Sequence, residues 1–200
     1  MSRTGLLGGS FSPPTIAHLS MATFAKSQFN LDKILIMPCS VPTFDKAEKP
    51  IEPNHRFNMS VLACFGVPWL EVDDFELKKN PTYSYETLEH LKKIHPKDDL
   101  FFIGGSDSLS RIHEWREAET LVKFTDFIVV PRNDGFEKAK EALIKAGKNE
   151  SGILMLDFPR NDISSTIIRE RLKKGFHCEH LVDNAVLDYI KANNLYSKEE

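Results

Sequence analysis

Gly8-Gly9-Ser10-Phe11-Ser12-Pro13-Pro14-Thr15-Ile16-Ala17-His18 leads from an apolar run into a helix start through two glycines and up to a histidine. Gly5-Leu6-Leu7 reads as the end of a buried strand, and Leu19 to Phe29 reads as an amphipathic helix. Gly8 and Gly9 let the backbone approach a ligand with no Cβ in the way. The first turn of a helix carries free N–H groups and a partial positive charge, so an anion is favoured there. Thr15 and His18 are three apart and share one face of that turn. A plain βα turn also uses Gly-Gly, so this stretch alone does not decide between a ligand site and a tight connection.

Ile163-Ser164-Ser165-Thr166-Ile167-Ile168-Arg169, far downstream, repeats the logic. Ser164 or Ser165 can cap a helix running through Arg171 and Leu172. Thr166 and Arg169 then fall on one face and offer a hydroxyl and a guanidinium to phosphate oxygens. Read only as structure, Ser-Ser-Thr is a good cap and Arg169 a solvated helix residue.

Between these two stretches, short apolar runs alternate with helical patterns. Strands are expected at Thr4–Leu7, Lys33–Met37, Leu70–Val72, Leu100–Ile103, Phe127–Val130 and Ile153–Leu156. Helices are expected at Ala17–Phe29, Asn54–Phe65, Ser84–Ile94, Ser108–Ile112, Glu117–Phe124, Phe136–Ala146, Ser165–Lys173 and Val182–Asn193. The alternation predicts an α/β, Rossmann-like and mainly parallel sheet with helices on both faces, and ligands at the carboxyl ends of the strands. Gly8, Lys46, Gly105 and Pro131 each follow a predicted strand, which puts the candidate loops on one rim. The long irregular stretch from Pro38 to Pro53 suits a mobile lid as well as a surface loop.

With 200 residues and 41% hydrophobic content, the chain is long enough for one domain with a sizeable core. Twenty-six Lys and Arg against 29 Asp and Glu leave a net charge of −3, spread along the chain, which argues against a nucleic-acid partner and for a small anionic ligand. Cys39, Cys64 and Cys178 are too few and too scattered for a disulfide framework, so a reducing, cytoplasmic setting is expected. No apolar run is long enough to cross a membrane, and no membrane partner is expected. His177-Cys178-Glu179-His180 reads as a polar turn between helices, and no metal-ligating residues are proposed.

The two helix-start stretches resemble the [HT]xGH and ISSTxxR signatures of the nucleotidyltransferase superfamily, in particular of the nicotinate/nicotinamide mononucleotide adenylyltransferases. Ile163 to Arg169 fits ISSTxxR in full. Gly8 to His18 fits the first signature with Thr15 as a recognised alternative to its first histidine, Ser12 where the family usually has Asp, and Ala17 where it usually has Gly. Three further stretches follow in the family's order. Pro38 to Lys46 resembles the loop that usually carries His-Lys, with Asp45 in place of the histidine. Pro81-Thr82-Tyr83-Ser84-Tyr85-Glu86-Thr87-Leu88 resembles the segment beside the mononucleotide. Gly105-Ser106-Asp107-Ser108-Leu109 with Trp115 resembles the family's Gly-Ala-Asp-Ser-Leu and its downstream tryptophan.

The resemblance implies a single nucleotidyltransferase domain over residues 1–200, with C-terminal helices 164–194 packed on the nucleotide-binding core. It implies adenylyl transfer from ATP to nicotinate mononucleotide, giving deamido-NAD and pyrophosphate, with Mg2+ bound mainly through the ATP phosphates. His18, Thr15, Lys46 and Arg169 would be catalytic. Gly8, Gly9, Ser10, Phe11, His18, Gly105, Asp107, Ile163, Ser165, Thr166 and Arg169 would bind ATP. Ser10, Phe11, Lys46, Thr82, Tyr83, Thr87 and Trp115 would bind the mononucleotide. Asp107 is equally a candidate helix cap, and Trp115 a candidate core residue. Nicotinamide mononucleotide, another phosphate acceptor such as phosphopantetheine or a polyol phosphate, and a weakly catalytic nucleotide-binding module remain as alternatives, and a homo-oligomer is left open.

Overall fold

The strands of the sheet run in one direction and the four central ones bury apolar residues on both faces, which forces helices onto both sides of the sheet. A computed structural model describes residues 2–40, 51–79, 82–132 and 134–197. Six parallel strands form the sheet: β1 (Arg3–Gly9), β2 (Lys33–Pro38), β3 (Leu70–Val72), β4 (Asp99–Gly105), β5 (Asp126–Val130) and β6 (Ile153–Met155), in the order β3-β2-β1-β4-β5-β6. The order reverses between β1 and β4, so the crevice beyond their carboxyl ends is where an open α/β sheet binds ligands.

Residues alternate strictly between two cores. Leu6, Leu35, Phe102, Phe127 and Val129 face one layer, which is built from α3 (Ser84–Ile94), α4 (Ser106–Leu109), α5 (Ala118–Phe124) and α6 (Gly135–Lys145). Leu7, Ile34, Ile36, Phe101, Ile103, Ile128 and Val130 face α1 (Ile16–Gln28) and the end of α2 (Pro53–Cys64). A third cluster lies off the sheet: Met59 and Ala63 of α2 meet Ile168 of α7 (Ser165–Lys173) and Val186, Leu187 and Ile190 of α8 (Asn184–Ala192). Leu19 packs against both the second and third clusters and couples them.

Three expectations change. The glycine pairs were expected just beyond β1 and β4, yet the ladder runs through them, pairing Gly9 with Pro38 and Gly105 with Val130. Neither pair adopts positive φ, and the space beside each differs: a Cβ on Gly8 would project into open space, with no atom within 4 Å, whereas one on Gly9 would press on the Phe11 ring at 3.2 Å and one on Gly104 on Leu109 at 3.1 Å. Helix α1 is less amphipathic than expected, because it buries Ala17, Ala22 and Ala25 and leaves Phe24 41% exposed; small side chains let it lie close to the sheet. The helix expected at Ser108–Ile112 starts earlier, at Ser106, and breaks before a short 3-10 turn at Ile112–Glu114. Residues 177–180 join α7 to α8 as expected, with His177 Nδ1 3.2 Å from Glu179 Oε2. The three cysteines are free thiols.

Candidate active site

A cleft of about 980 Å³ opens at the reversal point, lined by Gly9, Ser10, Phe11, Ser12 and His18 on one side and Ile163, Ser164, Ser165, Thr166 and Arg169 on the other. The two stretches that stand far apart in the sequence thus face each other.

They are also bonded together. Arg169 Nη1 donates to the Ser12 carbonyl at 2.9 Å, and Ser165 Oγ donates to the Pro13 carbonyl at 2.8 Å. Ser164 is the residue that caps α7, its Oγ accepting from Ile167 N–H at 3.3 Å. Arg169 Nη2 donates to Thr166 Oγ1 at 3.3 Å, so these two share a face as their spacing requires.

His18 is held by its own helix start. It is the third residue of α1, and its Nδ1 accepts the Thr15 backbone N–H at 3.0 Å, completing a capping box. A backbone N–H can only donate, so Nδ1 carries the lone pair and the ring proton of the neutral imidazole sits on Nε2. The ring is braced edge-on by Phe11, with centroids 5.1 Å apart. Phe11 is 2% exposed with φ of 46°, a left-handed backbone that is costly for a bulky side chain and persists only where the surroundings hold it.

The first turn of α1 needs a correction. Its N–H groups were expected to be free for an anion, but Ile16 N–H donates to the Leu181 carbonyl and His18 N–H closes on the Thr15 carbonyl, both at 3.0 Å. Those two N–H groups are thus already spent, and the His18 side chain is what this helix start presents to the cleft. Thr15 changes role for the same reason: it is 1% exposed, and its Oγ1 lies 2.9 Å from His18 Nδ1, so it orients the histidine and does not reach the cleft.

On the β4 side, Gly105 caps α4, and Asp107 is the helix's second residue, which removes the cap reading of Asp107. Its Oδ2 instead accepts from Arg132 Nη1 at 2.9 Å, with both side chains more than half exposed. Arg132 and Arg160, which no pattern in the sequence singles out, also line the cleft, each paired with an aspartate, Asp107 and Asp162 respectively. Lys46 lies outside the described residues.

The expected mononucleotide residues beyond the loop form a separate group and do not line this cleft. Trp115 is half-buried and meets Phe102 edge-on at 5.5 Å, joining the core while keeping some surface. Tyr83 lies under the Arg116 guanidinium, 4.8 Å from its ring centroid, and stacks near Tyr85. Thr82 and Thr87 are buried, and their hydroxyls are committed inward: Thr82 Oγ1 donates to the Glu76 carbonyl at 3.1 Å and Thr87 Oγ1 to Glu76 Oε1 at 2.8 Å. A direct side-chain contact from Thr87 to a ligand is thus ruled out in this conformation.

Glu76 is the anchor of that segment. Burial pushes its carboxyl up to about 7, Asp73 adds to the rise, and the Thr87 hydrogen bond opposes both. The folded state therefore holds the proton more tightly than the unfolded chain. This group's contribution to stability is full below its ordinary value of 4.5 and is lost as pH rises through about 7. In Glu76→Gln the loss disappears: urea titrations should show the variant more stable than the parent by about 3 kcal/mol at pH 8 and equal to it at pH 4. A constant difference across that range would exclude this assignment.

Arg56 of α2 is the residue that sequence reading missed most completely. It is fully buried, and its guanidinium donates to four carbonyls: Ile51 at 3.0 Å, Ser10 at 2.9 Å, Cys39 at 2.6 Å and Ser40 at 3.0 Å. Desolvation lowers its pKa from the ordinary arginine value. One side chain thus ties the loop after β1 to the loop after β2. In the sequence, Pro53-Asn54-His55-Arg56 looks like the polar first turn of a surface helix and carries no sign of this.

Known proteins resemble this chain in sequence and in fold. Residues 6–171 match the family model described as cytidylyltransferase-like. A protein of Dehalococcoides mccartyi named probable nicotinate-nucleotide adenylyltransferase is 38% identical over 98% of both chains. One of the same name from Clostridium tetani is 35% identical over 98% of this chain and 100% of its own. Among solved structures, the nicotinic acid mononucleotide adenylyltransferase of Plasmodium falciparum is similar with TM-score 0.77 in its complex with NaAD and 0.76 in its complex with APC, at 25% and 27% identity, covering 98% of both chains. Likeness of this extent, in sequence and in three dimensions, places the chain in the cytidylyltransferase-like family, and within it the chain belongs to the nicotinate-nucleotide adenylyltransferases.

Proposed function

We propose that the protein transfers the adenylyl group of ATP to nicotinate mononucleotide, forming deamido-NAD and pyrophosphate in NAD biosynthesis. The observation that carries this reading is the shared cleft in which His18 and the Ser164–Arg169 helix start face each other, bonded through Ser12 and Pro13.

A 5′-phosphate oxygen of the acceptor forms a bond to the α-phosphorus of ATP, and the bond from that phosphorus to the bridging oxygen breaks. Pyrophosphate leaves with the electron pair. The attacking oxygen is already anionic, so no protein nucleophile or general base is required, and alignment and charge stabilisation do the work. His18, with its proton on Nε2, donates to the α-phosphate oxygens as their charge grows. Arg169 and Thr166, with Lys46, hold the β- and γ-phosphates. Gly8 leaves space for the nucleotide and Gly9 for the ring of Phe11, Gly105 and Asp107 meet the ribose of ATP, and Ile163 and Ser165 complete the ATP side. Ser10, Phe11, Tyr83 and Trp115 border the acceptor, with Thr82 and Thr87 shaping that segment from within. Among the described residues no three His, Cys, Asp or Glu side chains converge on a point. Mg2+, held mainly by the ATP phosphates and water, would supply screening of the charge on the leaving pyrophosphate.

The test is incubation with MgATP and a panel of acceptors (nicotinate mononucleotide, nicotinamide mononucleotide and phosphopantetheine), following pyrophosphate release. Release with phosphopantetheine alone, or ATP binding with no release, overturns the reading. Backbone N–H groups that meet a carboxylate are left unpaired by an amide, which costs affinity in the transition state. We therefore expect kcat/KM for the nicotinate form to exceed that for the nicotinamide form by about 10-fold or more. Equal values, or a preference for the amide, would remove the assignment of the acid.

A further inference from the structure

The loop that leads from β1 to His18 is gripped from outside the sheet at three residues. Arg56 takes the carbonyl of Ser10, Arg169 that of Ser12, and Ser165 that of Pro13. These contacts all reach backbone. A fourth reaches a side chain: Ser12 Oγ and Tyr196 Oη share a hydrogen bond of 2.9 Å. Ser12 is 2% exposed and borders the cleft, so this bond forms directly behind the surface that meets the nucleotide.

Tyr196 stands just after α8, and its backbone is unusual. Its φ is 57°, which a bulky side chain rarely adopts, and Leu195 N–H closes on the Ile190 carbonyl at 3.0 Å to turn the chain there. A residue keeps such a conformation where its surroundings hold it. Here the ring packs on the cluster containing Met59 and Ile168 while the hydroxyl reaches Ser12. Arg169 and Arg56 both lie close enough to pull the phenol down, but burial prevails and raises it to about 12. The hydroxyl therefore keeps its proton across the working range of the enzyme, and the contact is not lost by ionisation.

We propose that Tyr196 is a positioning residue for adenylyl transfer: its hydroxyl fixes Ser12, and through Ser12 the loop that sets Ser10 and Phe11 against His18. The proposal rests on the adenylyl-transfer reading of the cleft. It makes the segment after α8 part of the reaction geometry, although Tyr196 does not itself line the cleft. A loop shifted by a fraction of an ångström misaligns the α-phosphate in the transition state more than it weakens the bound ATP, so the effect falls on kcat.

The experiment compares the full-length parent with Tyr196→Phe, Ser12→Ala, the double variant and Tyr189→Phe. Tyr189 is the control, because its hydroxyl also ties α8 to α2, lying 2.9 Å from His55 Nδ1 and 3.0 Å from Asn58 Nδ2, without touching the loop. Expected for Tyr196→Phe is a fall in kcat of about 10-fold, with KM for ATP within about two-fold of the parent. The double variant should be no slower than the slower single one, since the two hydroxyls act as a pair. Tyr189→Phe should lose a similar amount of thermal stability and keep its kcat. An active parent with an unchanged Tyr196→Phe overturns the proposal alone, as does a parallel loss of kcat in Tyr189→Phe. A parent that releases no pyrophosphate with any acceptor overturns the adenylyl-transfer reading and the proposal with it.

Discussion

Replacing His18 with alanine lowers kcat by about 10²–10³-fold while ATP affinity, measured by calorimetry, changes far less; this is the expected scale for losing one donor aimed at charge that develops in the transition state. The same histidine is half of a capping box, so His18→Ala also removes the acceptor for Thr15 N–H. His18→Gln separates the two roles. A glutamine at the third helix position can accept that N–H and preserve the cap, but it does not place an imidazole N–H in the cleft. Both variants should therefore lose turnover, and only the alanine variant should also lose about 1 kcal/mol of stability, the usual worth of a cap. A glutamine variant with near-normal kcat would reduce His18 to a structural helix start and remove the central residue of the mechanism.

Replacing Arg56 with alanine is expected to cost about 4 kcal/mol, which for a chain of this length lowers Tm by roughly 10 °C. The size follows from four carbonyls that lose their donor inside the protein at once. Arg56→Lys should recover less than half of the loss, because one ammonium on a flexible stem cannot span the fork that the planar guanidinium fills. Differential scanning of the three proteins tests this. A loss below about 1 kcal/mol in Arg56→Ala would mean that water replaces the guanidinium, and that the loops after β1 and β2 do not depend on it.

These two residues mark the boundary of what could be read in the chain. His18 was legible because chemistry, glycines and a helix start lie together in one short stretch, and Ser164–Arg169 was legible for the same reason. The strands were legible because parallel strands covered on both faces must be continuously apolar, as Leu6-Leu7, Ile34-Leu35-Ile36-Met37 and Phe127-Ile128-Val129-Val130 are. Local periodicity also placed Leu70–Val72, Ser84–Ile94 and Ser165–Lys173 at their observed limits.

The sequence by itself thus determined the parallel α/β architecture, the two helix starts and the residue types they bring to the cleft, since each is written in neighbouring residues. Only the tertiary structure decided how the donors are spent. Ile16 N–H goes to Leu181 and not to an anion, Thr15 and Thr87 turn inward, and Asp107 meets Arg132. Only folding also brings Arg56, Ser165, Arg169 and Tyr196 from three separate segments onto one loop. A hydrogen bond is made wherever a donor and an acceptor end up, and for partners up to 184 residues apart that place is set by the packing of α2, α7 and α8 around their shared apolar cluster, which no local pattern encodes.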